Sequence, residues 1–73
     1  MMNETEILKA LGYNIRVLRM NQGYSQESFA HHAGLNRGYM GGIERGERNL
    51  AALNLVKIAK ALTVPVGELF KGI

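Results

Sequence analysis

An all-α fold is expected: one domain over residues 1–73, built of five short helices. Three features carry this expectation. Apolar residues recur at three- and four-residue spacing along most of the chain. No stretch alternates apolar and polar residues as a half-buried strand does. Gly, Asn and Ser fall between the apolar stripes, where helices stop and start. A chain of 73 residues buries only about 60% of the surface its unfolded form exposes, so its core has to be used efficiently.

The elements follow in order. Ile7, Leu8, Leu11, Ile15 and Leu18 form the stripe of a first helix that runs to about Asn21, with Thr5 placed to cap it. Gly12 lies inside it at a cost of ~1 kcal/mol relative to Ala. Asn21-Gln22-Gly23 is a stop signal, and Gly23 suits the left-handed position beyond the helix end. Ser25 opens a second helix. Ser25-Gln26-Glu27-Ser28 is close to a capping box, with Ser in place of Glu at the far end. Phe29, Ala30 and Ala33 give this helix an apolar face, and Gly34 ends it. Asn36, a strong N-cap type, precedes a third helix from Arg37 to about Arg45, closed by Gly46.

Leu50–Leu62 is the fourth helix, with Ala52, Leu55, Val56, Ile58, Ala59 and Leu62 apolar and Lys57 and Lys60 on the other side. Leu53 falls where a polar residue is expected, as a lone exposed apolar residue or as part of a partner surface. Thr63-Val64-Pro65 breaks the pattern, and Pro65 suits the first turn of a fifth, short helix carrying Leu69 and Phe70. Met1, Met2, Met20 and Met40 read as start residues and core fillers.

Composition narrows the function. Cys is absent, which excludes a disulfide framework and a cysteine zinc site. No apolar run is long enough to span a bilayer, and the acidic start Met1-Met2-Asn3-Glu4-Thr5-Glu6 lacks the basic region of a signal peptide. A cytoplasmic protein without membrane contact is therefore expected. The net charge of +3 lies wholly in the second half, where Arg37, Arg45, Arg48, Lys57, Lys60 and Lys71 outnumber Glu44, Glu47 and Glu68. The three arginines between 37 and 48 suggest a polyanionic partner. No metal-ligand cluster, phosphate-cradling glycine motif or nucleophile–base pair is present, so no enzyme activity, cofactor or metal is expected. His31 and His32 are adjacent on a helix and project about 100° apart, which suits a phosphate contact better than joint chelation of one ion.

The second and third helices carry the functional expectation. They are joined by a tight Gly34-Leu35-Asn36 turn, the sequence form of a DNA-reading helix-turn-helix. Gly34 permits a positive φ. Ala30 is small where the helices cross, Leu35 plugs the gap beneath the turn, and Met40 and Ile43 bury the back of the third helix. Arg37, Gly38, Gly41 and Gly42 are left on its outer face with Tyr39 beside them. An α-helix fits the major groove, where its N-terminal residues reach base edges.

The run Ile15-Arg16-x-Leu18-Arg19, Gly23-Tyr24-Ser25-Gln26-Glu27-x-Phe29-Ala30, Ala33-Gly34-Leu35, Ile43-Glu44-Arg45-Gly46 and Asn54-Leu55-x-Lys57-Ile58-Ala59-x-Ala61-Leu62 resembles the phage repressor/Cro-like (XRE-type) helix-turn-helix family over about residues 7–70. The segment Asn36-Arg37-x-Tyr39 through Ile43-Glu44-Arg45-x-x-Arg48-Asn49 is also similar to controller proteins of restriction–modification systems. The resemblance implies a five-helix, lambda-repressor-like DNA-binding domain with its helix-turn-helix at about residues 25–45. It also implies a homodimeric, sequence-specific transcriptional regulator of double-stranded DNA that reads an inverted repeat.

Position by position, the resemblance implies that Gln26 bonds phosphate and braces the recognition helix. It makes Arg37 and Gly38 the first base-reading positions and Gly42 a further one; Asn36 and Tyr39 join the DNA-binding set beside them, Tyr39 either as a phosphate or thymine-methyl contact or as packing at the helix edge. Arg19 and Glu44 match a partly buried ion pair. Arg45, Arg48 and Asn49 match a loop that grips the backbone. Val64, Val66, Leu69, Phe70 and Ile73 fall in the segment that forms the dimer contact.

The glycines depart from the family pattern, since Gly38, Gly41 and Gly42 cannot make side-chain base contacts. Two readings stay open there. In one, close backbone approach leaves Arg37 as the main direct reader and DNA shape supplies the rest. In the other, the chain is an antitoxin or adaptor whose main partner is a protein, such as a toxin or RNA polymerase.

Overall fold

A computed structural model describes residues 1–73 as four α-helices and a 3-10 segment, without strands. The helices are α1 (Glu4–Asn21), α2 (Gln26–Ala33), α3 (Arg37–Glu44) and α4 (Ala52–Leu62), and the 3-10 segment is Val66–Phe70. The expected fifth helix is thus a 3-10 turn. Pro65 stands outside it in extended conformation (φ −62°, ψ 147°), and Glu68 N–H bonds back to the Pro65 carbonyl at 3.0 Å, the i to i+3 pattern.

Asn3 caps α1 in place of Thr5. Its Oδ1 accepts from the Glu6 N–H at 2.8 Å, and the Glu6 carboxylate accepts from the Asn3 N–H at 3.0 Å. The reciprocal box needs an acid three residues on, which Asn3 has and Thr5, followed by Leu8, does not. At α2 the Ser28 hydroxyl fills the part of the usual Glu: Ser25 Oγ accepts from the Ser28 N–H and Ser28 Oγ accepts from the Ser25 N–H, both at 3.0 Å. Gly34 ends α2 at φ 72°, which lets the Leu35 N–H close on the Ala30 carbonyl at 2.8 Å.

One core unites all five elements: Leu11, Ile15, Phe29, Ala30, Met40, Ile43, Ile58, Ala59, Leu62 and Leu69. The inward face of α4 is narrower than its apolar stripe, since Ala52 and Val56 are exposed along with Leu53. Met40 fills the core, but Met20 does not; it sits in the last turn of α1 and is exposed. Leu69 is fully buried in its own protomer's core, which removes it from any surface offered to a second copy. Asn14 pins the chain at that plug and just beyond it, its Nδ2 donating to the carbonyls of Leu69 and Lys71 at 2.9 Å each. No helix is long and apolar enough to cross a membrane.

Gly12 reverses its expected sign. It is buried where α1 crosses α3, and a Cβ there would strike the Ile43 carbonyl oxygen and lie 2.8 Å from that of Glu44. The missing side chain is what allows the two helices to meet. Gly46, at φ 75°, makes a similar approach, with the position of its absent Cβ 2.8 Å from Lys9 Cα. The C-terminal end of α3 is therefore held against α1 by backbone contact.

Candidate nucleic-acid interface

Met40 and Ile43 anchor α3 in the core. At 3.6 residues per turn this directs Gly38, Gly41, Gly42 and Arg45 away from the protein. The orientation of the helix is fixed by a buried polar hub. Arg19 of α1 donates from Nε to Glu44 Oε2 at 2.7 Å and from Nη2 to Glu44 Oε1 at 2.9 Å. Gln26, the first residue of α2, donates from Nε2 to the same Oε1 at 3.0 Å. The Arg19 and Glu44 side chains are only 9% and 3% exposed, and Arg19 Nη1 donates to the Tyr24 carbonyl at 2.8 Å. A bidentate, hydrogen-bonded arrangement of this kind is what makes burial of two charges tolerable.

Asn36 caps α3, its Oδ1 accepting from the Tyr39 N–H at 3.2 Å, so that oxygen is already engaged. Arg37 begins the helix in solvent with its side chain 66% exposed, and its Nη1 donates to Glu27 at 3.0 Å. Gly38 is exposed beside it. Tyr39 is half-buried against the core, and its hydroxyl oxygen accepts from Asn54 Nδ2 at 2.9 Å, which ties α3 to the first turn of α4.

Gly41 and Gly42 lie on the outer side of α3 but are not exposed there: both are buried, and side chains cover them. A Cβ on Gly41 would stand 3.0 Å from Arg45 Nη1 and 3.4 Å from Gln26 Oε1. One on Gly42 would stand 2.7 Å from Arg48 Cγ. Arg45 is also paired with Glu47 at 3.0 Å. Arg48 is exposed and makes no ion pair or side-chain hydrogen bond.

Gln26, Arg37, Gly38, Arg45 and Arg48 thus gather around the outer side of α3. Asn49 lies apart, in a surface depression it shares with Glu4, Ile7 and Leu8 of α1. His31 and His32 are exposed on α2, and the His32 ring stacks on Tyr24 with centroids 5.2 Å apart. Val66, Phe70 and Ile73 are exposed near the chain end, and Val64 is half-buried beneath them.

Sequence reasoning missed three participants. Glu47, two residues from Arg45, was visible as an adjacent opposite charge. Glu27, ten residues before Arg37, and Asn54, fifteen after Tyr39, meet their partners only through the fold.

The chain is similar in sequence and fold to known proteins. The helix-turn-helix family model matches residues 15–69. The control protein C.MunI from a Mycoplasma species is 40% identical over 73 residues, covering 99% of this chain and 96% of its own. A hypothetical transcription factor from Neisseria meningitidis serogroup B is 40% identical over 67 residues, 92% of this chain; the match spans 63% of that relative. The crystal structure of the restriction-modification controller protein C.AhdI from Aeromonas hydrophila superposes with a TM-score of 0.85 at 46% identity, covering 86% of this chain and 96% of that one. With the outward-facing α3 on its buried hub and these likenesses together, the chain belongs to the helix-turn-helix family of transcriptional regulators.

Proposed function

We propose that this protein is a cytoplasmic controller-type regulator that binds an inverted-repeat operator as a homodimer, each protomer laying α3 in the major groove. One observation carries the reading: Arg37 and Gly38 open α3 in solvent while Met40, Ile43 and Glu44 lock the rest of the helix to the protein. Arg37 is the direct base reader. Its exposed pair with Glu27 is worth only ~0–1 kcal/mol, whereas a bidentate bond to guanine O6 and N7 gives ~1–3 kcal/mol of discrimination. The guanidinium therefore exchanges its partner readily on the correct base. Arg45, Arg48, Gln26 and the Tyr39 hydroxyl serve phosphates. Val66, Phe70 and Ile73, with Val64 behind them, form the two-fold contact that spaces the recognition helices about one DNA turn, ~34 Å, apart.

Footprinting on the DNA upstream of the protein's own gene locates the operator. Titration of Arg37→Ala against that operator and a random duplex then tests the assignment. The expected result is a loss of about tenfold or more on the operator and a smaller one on the random duplex. Equal losses on both would remove base reading from Arg37.

A further inference from the structure

We propose that Gly42 is a positioning residue for DNA binding: having no Cβ, it lets the Arg48 side chain lie across the outer side of α3 and so holds that guanidinium at the DNA-facing surface. The inference rests on the reading that this side of α3 meets DNA.

Backbone conformation does not require glycine at position 42. Positive φ angles occur at Gly23, Gly34, Gly46 and Gly72, and Gly42 is not among them. Close backbone packing does not require it either. Gly12 and Gly46 would drive a Cβ into main-chain atoms, whereas the three nearest tertiary neighbours of a Cβ on Gly42 all belong to the Arg48 side chain: Cγ at 2.7 Å, Nε at 3.2 Å and Cδ at 3.5 Å. Adjacent glycines inside the eight-residue α3 oppose helix formation by ~1 kcal/mol each. The path of the Arg48 stem is the one feature at Gly42 that gains from the missing methyl.

Arg48 is also the arginine best placed to use such a track. Arg37 and Arg45 each face a carboxylate, and Arg48 faces none. Its charge is unmatched in the free protein, while its long stem is already confined against the helix. A free arginine side chain carries ~2 kcal/mol of rotamer entropy, part of which this contact removes before DNA arrives. Gly41 plays a lesser version of the role for Arg45, whose contact there is made by the far end of the side chain alone.

The test is Gly42→Ala: the helix itself gains from alanine, and the added methyl must displace the Arg48 stem at Cγ, the contact in question. The probe is a mixed-sequence duplex of about two helical turns, ~21 base pairs, since a phosphate contact is sequence-independent. The expected melting temperature is close to that of the parent, since the helix gain offsets the displacement of the Arg48 stem. Affinity should fall about tenfold, with a salt dependence shallower by about one unit per protomer, about two for the dimer. Arg48→Ala should show the same loss, and the double variant no more than Arg48→Ala alone.

Parent-like binding by Gly42→Ala beside a weakened Arg48→Ala would overturn the inference and leave the DNA reading intact. Additive losses in the double variant would also overturn it. Parent-like binding by Arg48→Ala would remove Arg48 from the DNA contact and the inference with it. Should Gly42→Ala fold poorly, the unsubstituted protein still decides: proton–proton NOEs between Gly42 Hα and the Arg48 side chain support the track, and their absence overturns it.

Discussion

The α-carbon of Gly12 faces the carbonyl of Ile43 so closely that position 12 has no room for a methyl group. Gly12→Ala should therefore destabilise the protein by about 3 kcal/mol despite a gain of ~1 kcal/mol in helix propensity, because the obstruction is backbone and cannot swing aside. Urea denaturation measures it; a midpoint at or above the parent's would mean that α1 and α3 cross more loosely than described.

Arg19 and Glu44 should be costly to separate. Glu44→Ala leaves a buried guanidinium without its carboxylate and Gln26 without its acceptor, with an expected loss of about 3–5 kcal/mol. Replacing both partners with apolar residues, Arg19→Met with Glu44→Leu, should recover much of it. Denaturation of the single and double variants gives the coupling directly, and independent, additive effects would contradict a hydrogen-bonded pair.

Residues near the chain end divide into two groups. Val66 and Phe70 are 37% and 38% exposed, and Leu69 between them is fully buried. Val66→Asp or Phe70→Asp should shift sedimentation from dimer to monomer while helical content persists. Leu69→Ala should instead cost about 2–5 kcal/mol of fold stability. A dimer unaffected by both aspartates would place the two-fold contact elsewhere.

Thr63 closes α4 in the left-handed region at φ 56°, the one residue other than glycine to do so. That conformation opposes an L side chain by roughly 1–2 kcal/mol, and more so a β-branched one. Thr63→Gly should raise stability by about 1 kcal/mol, read from thermal melts; a lower melting temperature would mean that the hydroxyl, 2.6 Å from the Leu62 carbonyl, outweighs the backbone term.

Local chemistry was the legible part. Gly34, Asn36, Ser25 and Gly46 delimit α2 and α3 because caps and left-handed ends are decided within a few residues. The stripe through Leu11 and Ile15 locates a buried face for the same reason. What the sequence hid was contact between distant segments. Gly12 reads as a penalty until α3 is placed across it, and Gly42 reads as bare surface until Arg48 is laid over it. Leu69 was assigned with its apolar neighbours to the outside because alternation within a five-residue 3-10 turn gives too little period to separate one face from another.

The single carboxylate of Glu44 joins residues from α1, α2 and α3. The placement of α3 against α1 and α2 is consequently fixed when the chain folds. On the proposed reading, association with a duplex would be near-rigid docking, with Arg37 and Arg45 trading carboxylates for DNA while the main chain stays still. Calorimetry of binding should accordingly lack the large heat-capacity decrement that accompanies coupled folding.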